Sequence, residues 1–307
     1  MTSGRKALVT GAGGFVGRRL VEAFRAAGWT VAAAGRAQLD VTDAAAVRRV
    51  VETERPHAVV NLAAIAHQKR ERITAAEYDA VNHRGVRHLL DASLACGVGR
   101  FVQFSSAAVY GYEGRTGPLR EDAERRPVGP YARAKARGED ACFAADGGRM
   151  ACVVARFPAI YAPGWVLDVR KRAYVPGTRL LLEVTGPGAP RYSLCALDDV
   201  VAFSLLAAEG MAPGAYNVAD AEPYAQPEVA AVIGALEGAE RRVRVPSALL
   251  PVPLAVARLV PGGVGRQVRQ HAWKLLRGMV LDTSRAAAAG WTPRGRLRDL
   301  LRDASVP

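Results

Sequence analysis

The segment Lys6-Ala7-Leu8-Val9-Thr10-Gly11-Ala12-Gly13-Gly14-Phe15-Val16-Gly17 narrows what this chain can fold into more than any other. Lys6 to Thr10 is an apolar run of strand length, and Arg18 to Ala27 carries Leu20, Val21 and Phe24 at helical spacing. Gly11, Gly14 and Gly17 therefore occupy a strand-to-helix turn. Glycine there lets the backbone bend sharply and come close to a pyrophosphate held at the helix amino end. Among 31 glycines this spacing alone is weak evidence, but its context strengthens it. Gly28 follows the helix, and Trp29 to Ala34 is a second strand at the distance of a strand-helix-strand unit.

The alternation continues down the chain. Ala44 to Arg55 reads as a helix ended by Pro56, His57 to Ala64 as a strand, and Tyr78 to about Cys96 as part of a helix. Arg100 to Phe104 is a strand that runs into Ser105-Ser106, and a loop from Tyr112 to Pro130 leads to a helix carrying Tyr131 and Lys135. Ala151 to Phe157 is the next strand. Beyond it, Pro158, Pro163, Gly164, Pro176, Gly177, Pro187 and Pro190 break the pattern. Leu197 to Glu209 and Glu228 to Leu236 read as helices, and Gly214 to Val218 as a short strand. Val245 to Val260 is apolar but interrupted by prolines, which suits packing of a lobe helix and forbids one long helix. The expected fold is α/β, a doubly wound parallel sheet over residues 1–160. A smaller C-terminal substrate-binding lobe is expected over 161–307, with segments returning to the sheet.

Composition removes several function classes. No apolar run reaches the roughly 18 residues that span a bilayer, and Met1 to Arg5 lacks the apolar core of a signal peptide, so a soluble cytoplasmic protein is expected with no membrane role. Cys96, Cys142, Cys152 and Cys195 are scattered and read as buried thiols rather than zinc ligands or disulfides. The histidines are too dispersed for a metal site, although His67 and His83 lie in segments that could border an active site. The net charge of +13 comes almost wholly from arginine, with lysine only at positions 6, 69, 135, 171 and 274. The arginines are dispersed along helices, which argues against nucleic acid and suits attraction of an anionic substrate such as a nucleoside diphosphate.

Tyr131 and Lys135, four residues apart on a helix, share one face. A phenol with an ordinary pKa near 10 needs a positive neighbour to exchange protons at neutral pH, and Lys135 is placed to supply one. Ser106, at a strand end, can direct a second hydroxyl at the same substrate oxygen. With the glycine turn, the two serines and Tyr131-Ala132-Arg133-Ala134-Lys135 in this order, the chain resembles the extended short-chain dehydrogenase/reductases of the NAD(P)-dependent epimerase/dehydratase family over essentially its whole length.

The resemblance implies a Rossmann domain acting chiefly on nucleotide sugars, with Ser106 rather than Ser105 as the catalytic hydroxyl, Tyr131 as acid/base, and Lys135 also holding the nicotinamide ribose. It implies cofactor contacts at Gly11, Gly14, Phe15, Val16, Gly17, Asp40, Val41, Leu62, Ala63 and Ala64, and substrate contacts at Ser106, Ala107, Tyr131 and Arg191, the last on the diphosphate. Asn82 matches the helix asparagine of the superfamily, with a polar helix-surface residue as the other reading. A homodimer through the helices beginning near Ala76 and Tyr131 is also implied. Two positions depart from the family pattern, Ala159 where sugar epimerases carry asparagine and Ala162 in place of glycine.

Ala34-Gly35-Arg36 puts an arginine where an NAD-selective domain commonly has an acid. Arg36 suits a 2′-phosphate and favours NADP(H) over NAD(H), with Asp40 as a counterweight. A reductase releases its oxidised cofactor each turnover, so the expected activity is reduction of a nucleoside-diphosphate 4-keto-sugar. The alternatives are an NAD-dependent nucleotide-sugar 4-epimerase and a non-catalytic dinucleotide sensor. Dehydration is disfavoured because Ala107-Ala108 stands where dehydratases carry Asp-Glu.

Overall fold

In the computed structural model, the described residues are 4–66, 73–113, 115, 117–175, 177–252, 255 and 272–303. The first apolar run forms strand β1 (Lys6–Thr10), followed by α1 (Phe15–Ala26), β2 (Thr30–Ala34), α2 (Ala44–Glu54) and β3 (Ala58–Asn61). Asp43 starts α2 by accepting from the amides of Ala45 and Ala46, a standard way to satisfy the first free N–H groups of a helix. The helix expected from Tyr78 starts earlier, at a capping box of Thr74 and Glu77. It runs as α3 (Ala75–Asp79), a π-helical turn (Ala80–Arg84) and α4 (Gly85–Ala95).

Strand β4 (Arg100–Ser106) extends two residues past the expected Phe104 and ends in a 3₁₀ turn at Ala107–Tyr110. Then come α5 (Gly129–Ala145), entered through Pro130, and β5 (Ala151–Phe157). The remaining elements are β6 (Ala159–Tyr161), α6 (Leu167–Arg170), β7 (Leu181–Thr185), β8 (Arg191–Tyr192), β9 (Leu194–Ala196) and α7 (Leu197–Glu209). After them follow β10 (Gly214–Asn217), β11 (Tyr224–Ala225), α8 (Gln226–Glu237) and β12 (Arg242–Pro246).

The main sheet is parallel throughout, in the order β10-β5-β4-β3-β1-β2. A parallel sheet needs both faces covered. One face packs Leu20 and Phe24 of α1 with Phe203 of α7, and the other packs Val47, Leu89 and Cys142 from α2, α4 and α5. Each fully buried side chain of this size contributes roughly 1.5–3 kcal/mol. Strand order reverses between β1 and β3, the switch point at which open α/β sheets bind ligands beyond their carboxyl ends.

A smaller core of Leu181, Val229, Ile233 and Leu297 lies apart from the sheet, while α7 and β10 return to it. The apolar segment expected to pack as a helix from Val245 begins otherwise, because Val245 and Pro246 close β12, paired in parallel with β7. Its alternating exposure fits a half-buried strand better than a helix. Residues 253–254 and 256–260 of that segment, and His67, lie outside the described residues. Cys142, Cys152 and Cys195 are buried, and burial pushes all three thiols above their ordinary range.

Candidate active site

Two glycines shape the turn after β1. Gly11 has φ +67°, and a Cβ there would stand 2.9 Å from the Leu62 carbonyl carbon in the segment leaving β3. At Gly17 a Cβ would lie 2.8 Å from the Ala12 α-carbon, so helix α1 can approach the turn after β1 this closely only without a side chain. Gly14 caps α1 with no side-chain acceptor on the first amides. This leaves N–H groups at the positive end of a 12-residue helix, a cradle that fits a pyrophosphate.

The end of β4, the start of α5 and the lobe enclose a cleft of about 390 Å³ against this turn, within the ~300–1,000 Å³ usual for small-molecule sites. Of the residues singled out from sequence, Gly11, Gly14, Phe15, Val16 and Gly17 line it, as do Leu62 and Ala64. Ser106, Ala107, Tyr131 and Lys135 line it as well. Ala63 does not: it packs against the core, and its amide donates to Thr10 Oγ1 and Asn61 Oδ1, both at 3.2 Å. The Phe15 ring stacks on Trp165 with centroids 4.5 Å apart, tying the glycine turn to the lobe across the cleft.

The two serines have different surroundings. Ser105 is buried and donates to Glu139 Oε1 at 2.5 Å, whereas Ser106 faces the cleft, accepts from the Ala108 amide and hydrogen-bonds Tyr131. Burial pushes the Tyr131 phenol up to about 12, opposed by the Ser106 hydrogen bond, with the negative charge of Asp168 adding to the rise. The expected lowering by Lys135 does not occur in this structure. Lys135 Nζ is turned to the Phe104 carbonyl at 2.7 Å, a carbonyl that also accepts from Gln103. Burial brings the lysine down to about 8, with Glu139 opposing.

Lys135 therefore carries a stability cost. Its folded pKa lies below the unfolded value, so the penalty is fully present below about pH 8 and vanishes as pH rises toward 10.5. Its size is roughly 3 kcal/mol at neutral pH. Lys135→Met should melt higher than wild type at pH 7 while losing turnover, and the gap should close by pH 10. Melting curves across that range check it, and a lower melting temperature for the variant at pH 7 would contradict it.

Behind the cleft lies a buried polar network that the sequence reading missed. Glu139, fully buried one turn beyond Lys135, accepts from Arg156 Nη2 at 2.7 Å and from Arg125 Nη1 at 3.2 Å. Arg156 also donates to the Tyr110 hydroxyl and the Glu121 carbonyl, both at 2.8 Å. The spacing of Tyr131, Lys135 and Glu139 on one helix face was the available signal.

Other positions fall outside the cleft. Asn82 is not on the helix surface: it is 1 % exposed in the π-helical turn, and its amide pairs with both backbone groups of Ile65. His83 pairs with Asp79 at 2.8 Å. Exposed Arg36 follows Gly35, which packs against Gly13 of the glycine turn. Asp40 accepts from the Thr42 amide and hydroxyl, which hold its carboxyl below the usual range with help from the Arg36 charge. Val41 is buried in the core beneath α2 and α4. Arg191 is exposed and donates to the Pro223 carbonyl. Among the described residues, the cleft's cations besides Lys135 are Lys171, Arg172 and Lys274. None of these three stands in a motif that sequence reading would isolate.

Among the described residues, no helix is long and apolar enough to cross a membrane. The model of the NAD dependent epimerase/dehydratase family matches residues 7–219. A dTDP-4-dehydrorhamnose reductase of Mycolicibacterium smegmatis is 31% identical over 307 residues, covering 98% of this chain and 85% of that protein. Two solved structures share the fold. The UDP-glucose 4-epimerase of Thermus thermophilus, in complex with NAD, has a TM-score of 0.73 at 23% identity and covers 96% of both chains. The dTDP-4-dehydrorhamnose reductase of Bacillus anthracis, in complex with NADP, has a TM-score of 0.73 at 16% identity, covering 97% of this chain and 98% of that one. The glycine turn, the parallel sheet and the length of the match agree, and the chain belongs to the NAD-dependent epimerase/dehydratase family of NAD(P)-dependent enzymes.

Proposed function

We propose that this enzyme is an NADPH-dependent reductase of a nucleoside-diphosphate 4-keto-sugar. The observation that carries the reading is the pairing of Tyr131 and Ser106, a phenol and a hydroxyl hydrogen-bonded to each other where both line the cleft beside the glycine turn. A protonated phenol is an acid. It suits delivery of a proton to a carbonyl oxygen that is becoming an alkoxide; an epimerase would use the same residue in both directions, and the relative named a reductase favours net reduction.

The roles follow from position. Ser106 orients the substrate carbonyl by hydrogen bonding, Tyr131 gives its proton to the same oxygen, and the Lys135 ammonium lies in the same cleft to stabilise the phenolate left behind. Gly11, Gly14, Gly17 and the first amides of α1 would hold the cofactor pyrophosphate, with Leu62 and Ala64 alongside. When bound, the reduced nicotinamide supplies the hydride. The M. smegmatis relative, named a dTDP-4-dehydrorhamnose reductase, supports the substrate class. A homodimer through α3, α4 and α5 and a cytoplasmic location are proposed on the family resemblance, and exposed Phe143 on α5 suits such a contact.

Arg36 supports NADPH over NADH, since the acid that could oppose it, Asp40, has one carboxylate oxygen occupied by Thr42. A charge-assisted contact with the 2′-phosphate contributes roughly 1.5–3 kcal/mol. Arg36→Ala should therefore lower the NADPH-to-NADH ratio of kcat/KM by at least about 10-fold, and an unchanged ratio would remove Arg36 from cofactor selection. The reading as a whole is tested by denaturing freshly purified protein, identifying any released nucleotide by mass, and titrating the folded protein with NADPH and NADH. An empty protein that prefers NADPH is expected. Near-stoichiometric retained NAD would favour the 4-epimerase instead.

A further inference from the structure

We propose that Arg172, in a cleft also lined by Lys171 and Lys274, forms the subsite that holds an oxyanion of the substrate, the diphosphate in the case of a nucleotide sugar. The inference rests on the reading of this cleft as the substrate site and names the group that grips the substrate there.

Arg172 lines the cleft yet is only 8 % exposed. One end of its guanidinium is fixed, because Nη1 donates to the Asp168 carbonyl at 2.8 Å and the group lies 5.6 Å over the Tyr192 ring. Its Nε–H, by contrast, is buried without any hydrogen-bond partner. A buried donor left unmade is costly, so a side chain locked in this way is poised for an acceptor that arrives from the cleft. In an arginine the Nε–H and the neighbouring Nη–H form the pair that fits two oxygens of a phosphate or carboxylate, and here the Nε–H is the one left without a partner.

The surroundings favour an anion. Lys171 and Lys274 line the same cleft, and the nearby acid, Asp168, is paired with Lys171 at 2.6 Å. Asp168 is also the residue whose backbone carbonyl anchors Arg172 and whose charge acts on Tyr131. Asp168, on the short helix α6, thus stands between Arg172 and the proton donor, and all three line the same cleft. Arg191, exposed and turned to Pro223, has no comparable position.

The test uses the full-length protein loaded with NADPH and compares wild type, Arg172→Met, Arg172→Lys and Arg191→Met. Calorimetric titration with dTDP, with pyrophosphate and with 3-oxooctanoate separates a diphosphate from a carboxylate as the bound anion. Arg172→Met is expected to weaken the anion that wild type binds by about 10- to 100-fold, with NADPH affinity within 2-fold of wild type. In turnover KM should rise far more than kcat falls, because the contact is made in ground and transition state alike. Arg172→Lys should recover only part of the affinity, and Arg191→Met should bind like wild type. If Arg172→Met does not fold, Arg172→Lys with a 3-fold or greater loss for the same probe serves in its place. Anion affinity within 3-fold of wild type in the Arg172 variants overturns the proposal, as does loss of NADPH and anion affinity in equal measure, or binding of none of the probes to wild type. Wild-type turnover of a nucleotide sugar with an unchanged KM in Arg172→Met would reject the subsite while leaving the reductase reading intact. Arg172-dependent binding of 3-oxooctanoate alone would do the reverse.

Discussion

Tyr131→Phe is expected to lower kcat for keto-sugar reduction by about 10²- to 10⁴-fold, the usual contribution of a positioned general acid. The substitution removes one hydroxyl and leaves the ring, which makes an edge contact with Tyr78 at 6.0 Å between centroids. The fold and the glycine turn should be unaffected, so NADPH affinity and melting temperature should stay close to wild type. Ser106 would remain as a lone hydroxyl donor, unable to replace the proton, since its alkoxide is far less accessible than a phenolate. Steady-state rates with matched NADPH binding curves separate the chemical loss from a binding loss. A variant that keeps more than about a tenth of wild-type kcat would end the assignment of Tyr131 as the acid.

The largest stability effect is expected at Arg156. Its side chain is 2 % exposed, and its partner Glu139 is fully buried. Truncating one member of a buried ion pair typically costs about 3–5 kcal/mol because the other charge stays behind without its counterion. Arg156→Met would leave Glu139 with Arg125 and the Ser105 hydroxyl, and would strip donors from Tyr110 and the Glu121 carbonyl. A fall in melting temperature on the order of 10 °C is expected. The double variant Glu139→Gln with Arg156→Met should lose less than the sum of the single variants, because no unpaired charge remains. Simple additivity in that cycle would mean that the pair is not coupled. Because Ser105 precedes Ser106 and Glu139 follows Lys135 on α5, activity should fall along with stability.

The local elements were legible where hydrophobic period and turn residues agreed. β1 and α7 fall at Lys6–Thr10 and Leu197–Glu209, as their apolar runs indicate, and the glycine turn stands between β1 and α1. The cleft brings Ser106, Tyr131 and Lys135 together because α5 begins in the connection that leaves the carboxyl end of β4. What the sequence could not show was the state of those groups. The Tyr131 phenol rises and Lys135 falls because both are buried and Lys135 is turned to the Phe104 carbonyl instead of the phenol, and burial is a property of the whole fold. Asn82 gave no warning of its π-helical turn or of its clamp on Ile65, which is a contact between separate segments. Val245 looked helical by composition, yet its strand partner is Val184 of β7, separated from it in the chain by α7 and α8. Arg172 was one arginine among many until the fold buried it in the cleft wall.

The most direct test of the central claim is to mix the pure enzyme with NADPH and dTDP-4-keto-6-deoxyglucose and to follow both the loss of reduced nicotinamide absorbance and the sugar product by mass. The account predicts one NADPH consumed for each keto group reduced, with a product about two mass units heavier than the substrate. Interconversion of 4-epimers by protein-bound NAD, with no net consumption of added NADPH, would contradict it.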